Sequence, residues 1–239
     1  IDSRASWMRL GLLLLASSVG GVGLWSVVVT LPAVQAEFGA DRASAALPYT
    51  LTMIGFAAGG ILMGRATDRF GLARSLAAGT VALGGGFIIA SQAGSLLVYA
   101  LAHGALIGMF GSGVTFGPVM ADASFWFRRR RGLAVSIAAA GNYVAGAFWP
   151  PIVAAMTARY GWRATEFGVG IAVLAILLPL CLFLRARPPI QDDHHVVLSS
   201  ASRTEAELGL SPRALQTLLA LAGLCCCIAM SMPQVHLVA

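Results

Sequence analysis

The stretch Gly64-Arg65-Ala66-Thr67-Asp68-Arg69-Phe70-Gly71-Leu72-Ala73-Arg74 lies between two apolar runs, residues 46–63 and 75–91, and neither run holds a charged residue. At about 1.5 Å of rise per helical residue, each run approaches the thickness of a bilayer core of about 30 Å. Two such runs joined by a short turn carrying Arg65, Asp68, Arg69 and Arg74 read as a helical hairpin in a membrane, with its turn in water. Gly71 suits a tight turn. Asp68 at a membrane face is costly unless a cation or a helix amino terminus pairs it.

Working outward, further apolar runs occupy residues 10–31, 96–120, 133–157, 165–184 and 215 to the end, seven runs in all. The chain of 239 residues is 58% hydrophobic and 11% charged, with a mean hydropathy of +0.81. That balance excludes a soluble globular enzyme and a disordered chain. The fold class expected is an all-α polytopic membrane protein. The sequence begins at Ile1 without Met and stops at Ala239 inside an apolar run, so a fragment is expected.

All 16 basic residues are Arg, and the formal net charge is +6. If the runs cross alternately, Arg4, Arg9, Arg65, Arg69, Arg74, Arg128, Arg129, Arg130, Arg131, Arg185, Arg187, Arg203 and Arg213 fall on one side, and Arg42, Arg159 and Arg163 on the other. Cytoplasmic loops are the Arg-rich ones, which predicts a cytoplasmic amino terminus and a multi-pass protein of the inner (plasma) membrane. The same placement explains the basic charge without a nucleic-acid partner, and none is expected. Cys181, Cys225, Cys226 and Cys227 lie in apolar runs without paired spacing, and His194 and His195 are adjacent without a spaced partner, so no metal site and no cofactor are expected.

Residues 185–214 differ in composition, with Pro188, Pro189, Asp192 and Asp193 followed by a Ser/Thr/Glu stretch. Three regions follow: a six-helix bundle over 1–184, a cytoplasmic linker over 185–214 and a seventh helix over 215–239. Inside the bundle, Val29-Thr30-Leu31-Pro32 is echoed by Val114-Thr115-Phe116-Gly117-Pro118, and Arg69-Phe70-Gly71 by Arg159-Tyr160-Gly161. The first Arg-aromatic-Gly turn is assigned to one side and its echo to the other, as a three-plus-three inverted repeat requires.

The turn at residues 64–74 resembles the G-x-L-x-D-R-x-G-R-K signature of the major facilitator superfamily. Gly64, Asp68, Arg69 and Gly71 match in register, Ala66 stands in place of Leu, and Leu72 and Ala73 replace the basic pair, leaving Arg74 as the nearest cation. The resemblance implies that Gly64, Asp68, Arg69, Gly71 and Arg74 form a gating motif, a latch made when the cytoplasmic side is shut. Phe125-Trp126-Phe127-Arg128-Arg129-Arg130-Arg131-Gly132-Leu133-Ala134 is similar to a motif of the monocarboxylate porter and oxalate:formate antiporter branch, and the glycine-rich residues 104–118 fit the same branch. Aromatics before Arg128, Arg129, Arg130 and Arg131 also suit a headgroup belt touching the lipid bilayer. Against the pattern, His103 stands where drug-antiporter branches carry Arg, and residues 17–30 lack the acidic residue of animal monocarboxylate porters.

The resemblance implies the amino-terminal half of a carrier plus a partial helix 7, moving a small organic anion by alternating access. It also implies a carboxylate as the small-molecule substrate and makes a proton a candidate coupling ion. No Asp, Glu or Arg lies well inside a predicted span, so the substrate-binding candidates are Asn142, Tyr143, Trp25, Gln234 and His236, with His103 and Thr115 also near mid-membrane. Asn142 sits about ten residues into its span, near the depth of transporter sites. Interhelical hydrogen bonding is the competing reading of Asn142, and Tyr143 is expected to face away from it. Other solutes or drugs remain an alternative substrate class. An intramembrane serine protease built on Ser112 and a membrane His is a further alternative, and it lacks the first Gly of G-x-S-x-G because Phe110 stands there. No catalytic residue is assigned.

Overall fold

The computed structural model describes residues 3–186, 211, 213–218, 220–222 and 225. The first crossing begins where the Ser3 hydroxyl accepts the amide of Ser6, an N-cap that satisfies one of the free N–H groups of a helix start. Helix α1 (Arg4–Gly20) continues through the helical Gly21 into α2 (Val22–Phe38). It stops at Gly39, whose φ of 59° is the left-handed cap that glycine adopts without steric cost. A short α3 (Arg42–Ala45) leads to α4 (Leu47–Phe70), followed by α5 (Leu72–Ser91). Asp41 starts the α3 turn: hydrogen bonds from Ser44, whose amide lies 3.2 Å from the carboxylate, hold its pKa below the usual carboxylate value.

The next crossing is composite: α6 (Leu96–Leu101), a π-helix (Ala102–Ser112), α7 (Gly113–Thr115) and α8 (Gly117–Trp126). Then comes α9 (Arg131–Phe183), 53 residues that would run roughly 80 Å unbroken, more than twice a bilayer core. Gly161, at φ 80° and ψ 161°, breaks it into two crossings. Five stretches are long and apolar enough to cross a membrane, and the break makes the fifth of them two. Gly71, at φ 84° and ψ 158°, has nearly the same conformation as Gly161. That backbone region is essentially closed to residues with a Cβ. The two glycines that end the echoed Arg-aromatic-Gly turns thus make the same bend.

Leu13, Leu76, Leu83, Phe87 and Leu177 are fully buried between the helices. Where α4 meets the π-helix, backbones touch: a Cβ at Gly55 would strike the Gly104 carbonyl, and one at Gly59 the Met109 carbonyl. Gly108 and Gly113 face α4 as well, against Thr52 and Gly59. Gly104, Gly108 and Gly113 are spaced four and five apart. An α-helix turns about 100° per residue, which would put Gly113 nearly opposite Gly104. The π-helix closes its hydrogen bonds to the fifth residue and takes roughly one more residue per turn, so nine residues make about two turns. This wider winding brings the three glycines onto one face.

The chain divides into two units, Ile1–Pro189 and Ile190–Ala239. All the helices above belong to the first. In the second, residues 213–218 are helical, and the Ser211 hydroxyl caps the turn by accepting the Ala214 amide at 3.3 Å. His194, His195, Gln234, His236 and most of the expected linker and seventh helix lie outside the described residues.

Candidate functional site

Contrary to the expectation that the spans hold no charge, Glu166 is fully buried in the first unit. It is the second residue of the predicted run 165–184. The helix starts anew at Gly161, however, and five residues later the side chain points inward. Glu166 Oε1 lies 3.3 Å from the hydroxyls of both Thr30 on α2 and Tyr99 on α6; those hydroxyls lie 2.8 Å apart, and the Thr30 hydroxyl is also 3.1 Å from the Ser26 carbonyl, so the two hydroxyl protons are shared among these acceptors. Oε2 lies 3.5 Å from Nε2 of His103, the second residue of the π-helix, close enough for ion pairing but without hydrogen-bond geometry. Neither ring nitrogen of His103 has a hydrogen-bond partner, and neither has Oε2. Aromatic rings close the site: Tyr99 at 4.4 Å and Phe87 at 5.9 Å from the imidazole, with Trp162 edge-on to Tyr99. The spacing of Tyr99 and His103, four apart, was the available sequence signal that both face one way.

A second buried charged pair lies just beyond the ends of the predicted runs 10–31 and 96–120. Arg9 donates from Nε to Asp122 Oδ2 at 2.8 Å and from Nη2 to Oδ1 at 3.0 Å, the bidentate form that makes such pairs strong. Its Nη1 donates to the Leu184 carbonyl at 3.2 Å, and its guanidinium stacks 4.5 Å from the Trp126 ring centroid. Both side chains are buried. One cation thus joins the start of α1, the end of α8 and the end of α9. Asp122 was overlooked because the predicted run ended at Met120, two residues before it.

At the opposite end of the bundle, Glu37 of α2 accepts from Trp162 Nε1 at 2.6 Å and from Arg163 Nη2 at 2.8 Å. Arg163 also donates to the carbonyls of Ser91 and Ala93, at 2.9 and 2.8 Å. Arg163, counted in the sequence only as a sidedness marker, ties the ends of α2 and α5 to the second half of α9 at that rim.

The predicted gating residues Asp68, Arg69, Gly71 and Arg74 are exposed on the turn between α4 and α5, and Arg69 lies over the Phe70 ring at 5.3 Å. A Cβ at Gly64 would meet nothing within 4 Å among the described residues, whereas Gly55 and Gly59 mark a close helix approach, because the π-helix crosses α4 nearer its middle. Arg128, Arg129, Arg130 and Arg131 form an exposed group at the start of α9, with Arg131 Nη2 3.3 Å from Ser124 Oγ.

Of the predicted binding residues, the structure brings Trp25 and Asn142 together: Trp25 Nε1 donates to the Asn142 carbonyl at 3.3 Å. The Asn142 side chain leans on α1, since a Cβ at Gly21 would lie 3.1 Å from its Oδ1. Tyr143 is 59% exposed and turned away from that contact. Gln234 and His236 lie outside the described residues. Ser112 is buried with no partner for its hydroxyl, and His103 has none either, so they form no nucleophile and base pair. No group of residues able to hold a metal ion occurs among the described residues.

The chain spans about a third of the length of the curated relatives it matches. An MFS-type transporter, pynF, of Aspergillus niger is 32% identical over 131 residues, 55% of this chain and 30% of its own. Monocarboxylate transporter 3 of Rattus norvegicus is 31% identical over 166 residues, 69% of this chain and 33% of its own. The riboflavin transporter RibJ of Trypanosoma brucei brucei is 30% identical over 134 residues, 56% of this chain and 24% of its own. The Major Facilitator Superfamily matches residues 13–238, nearly the whole length. With an all-helical fold of membrane-crossing length, the chain belongs to the Major Facilitator Superfamily.

Proposed function

We propose that the protein containing this chain is a secondary transporter that moves a small organic anion, a monocarboxylate or a similar carboxylate, by alternating access. The observation that carries the reading is the similarity to monocarboxylate transporter 3 over 69% of the chain, within a superfamily match over residues 13–238. The bundle suits the task physically: six crossings joined by backbone-close glycine contacts can rock as one body against a second half around a central site.

In this reading residues 1–184 are one wall of the carrier, 185–214 a cytoplasmic linker and 215–239 the start of the other wall. The amino terminus faces the cytoplasm across the plasma membrane, and the group Arg128 to Arg131 sits at lipid headgroups. Asp68, Arg69 and Arg74, exposed on the turn held by Gly71, form the cytoplasmic latch. Trp25 and Asn142, joined through the Trp25 indole and the Asn142 backbone carbonyl, are the substrate-facing candidates, with Tyr143, Gln234 and His236 as further ones. A proton is the coupling ion.

Radiolabelled lactate, oxalate and formate, offered to liposomes holding the full-length protein, test the substrate class. Uptake or exchange of one of them is expected, and transport of none would overturn the anion reading. A different solute is the second reading, favoured by the riboflavin transporter among the relatives. Riboflavin uptake without carboxylate uptake would select it.

A further inference from the structure

We propose that Glu166 and His103 form a buried proton-binding site, in which a single proton resides on either the carboxylate or the imidazole inside the bundle. The proposal rests on the transporter reading only for what that proton is used for.

Two titratable side chains are sealed from water here, His103 at 0% and Glu166 at 1% side-chain exposure, with Nε2 and Oε2 3.5 Å apart. An isolated buried charge is costly, so such a site favours the occupancy that leaves it neutral. With one proton between them the pair is neutral either as carboxylate and imidazolium or as carboxylic acid and imidazole. With none it carries a net negative charge, and with two a net positive one. Among the described residues, Tyr99 and Glu166 are the titratable groups that face the imidazole. Thr30 from α2 and Phe87 from α5 complete the wall without adding charge.

The hydrogen bonds divide the carboxylate into two halves. Oε1 lies within hydrogen-bond distance of the Thr30 and Tyr99 hydroxyls, at least one of which donates to it, and so is held in place. Oε2, Nε2 and Nδ1 are left without hydrogen-bond partners although all three are buried. A structural ion pair has no reason to leave three polar atoms unmatched, because each costs about 1–3 kcal/mol of desolvation. A site that gains and loses a proton needs free lone pairs. The imidazole also stands at the start of the π-helix, a winding that is rare and frequently sits at functional sites.

The experiment is infrared difference spectroscopy of the purified full-length protein in lipid, between about pH 5 and about pH 8, reading the carbonyl stretch of protonated carboxyl groups. In the unaltered protein a pH-dependent band is expected, and Glu166→Gln should lose it. His103→Gln should keep the band but move its midpoint, because the partner that shares the proton is gone. Thr30→Val, which removes the hydroxyl beside Oε1 and keeps the side-chain size, should shift the midpoint. This last variant decides the matter should Glu166→Gln fail to fold. Identical difference spectra in the unaltered protein and Glu166→Gln, or no midpoint shift in His103→Gln and Thr30→Val, would overturn the site. The readout uses no transported substrate, so a failed lactate assay and a failed proton site are distinguishable.

Discussion

Removing the guanidinium of Arg9 leaves the Asp122 carboxylate buried and the Leu184 carbonyl without its donor. Breaking one side of a buried ion pair costs about 3–5 kcal/mol, whereas replacing both partners by apolar groups of similar volume is often nearly neutral. Arg9→Met is therefore expected to lower the thermal unfolding midpoint in detergent sharply, and Arg9→Met with Asp122→Leu to recover most of it. Equal destabilisation in the single and double variants would mean that packing, including the stack on Trp126, outweighs the charge pair. Neither Arg9 nor Glu166 was legible as a buried charge. Positive-inside counting treats an Arg near a span as a sidedness marker, and a Glu two residues into an apolar run looks interfacial. Only the third dimension shows that Arg9 meets Asp122, 113 positions later, and Glu166 meets Thr30, 136 positions earlier.

The helices themselves were readable, because apolar length and Arg-Gly-Pro punctuation are local properties. The breaks at Gly71 and Gly161 fall in the turns the sequence echo had marked. The winding of residues 102–112 was not readable, because an apolar run assumed to be α-helical gives the wrong faces once the hydrogen bonds skip to the fifth residue. The glycines of α4 give a direct check of this contact. Gly55→Ala would drive a methyl into the Gly104 carbonyl and is expected to cost about 1–3 kcal/mol. Gly60→Ala meets nothing within 4 Å and should be neutral or slightly stabilising, since Ala is the better helix former. Denaturant or thermal unfolding of the two variants side by side measures the difference. Equal stability of both would argue against backbone contact between α4 and the π-helix.

For the carrier as a unit, sidedness and gating make separate predictions. Gly94→Cys, on the turn before α6, should react with an impermeant maleimide added outside intact cells, and Arg130→Cys only after the membrane is opened; both positions are exposed. The reverse pattern would invert the orientation drawn from Arg counting. Asp68→Asn should slow substrate turnover well beyond any change in binding affinity, because an exposed latch acts on the change of state and not on the substrate. A weakened affinity at unchanged turnover would remove Asp68 from the gate. Family and helical architecture were visible from the motif at residues 64–74. The interior proton site was not, since its four residues come from four separate elements.

The crossing from Leu96 to Trp126 holds 31 residues, which as a plain α-helix would reach about 46 Å, well beyond a bilayer core of about 30 Å. Over residues 102–112 the wider π winding takes up more chain per unit of height, so the segment acts as a store of slack. Returning even one of its turns to α geometry would lengthen the crossing and twist one end against the other, while both loops kept their sequence and the Ser95 cap stayed in place. The helix that carries His103 is thus the one with spare chain to pay out, as a coiled cord has reach that its resting length does not show.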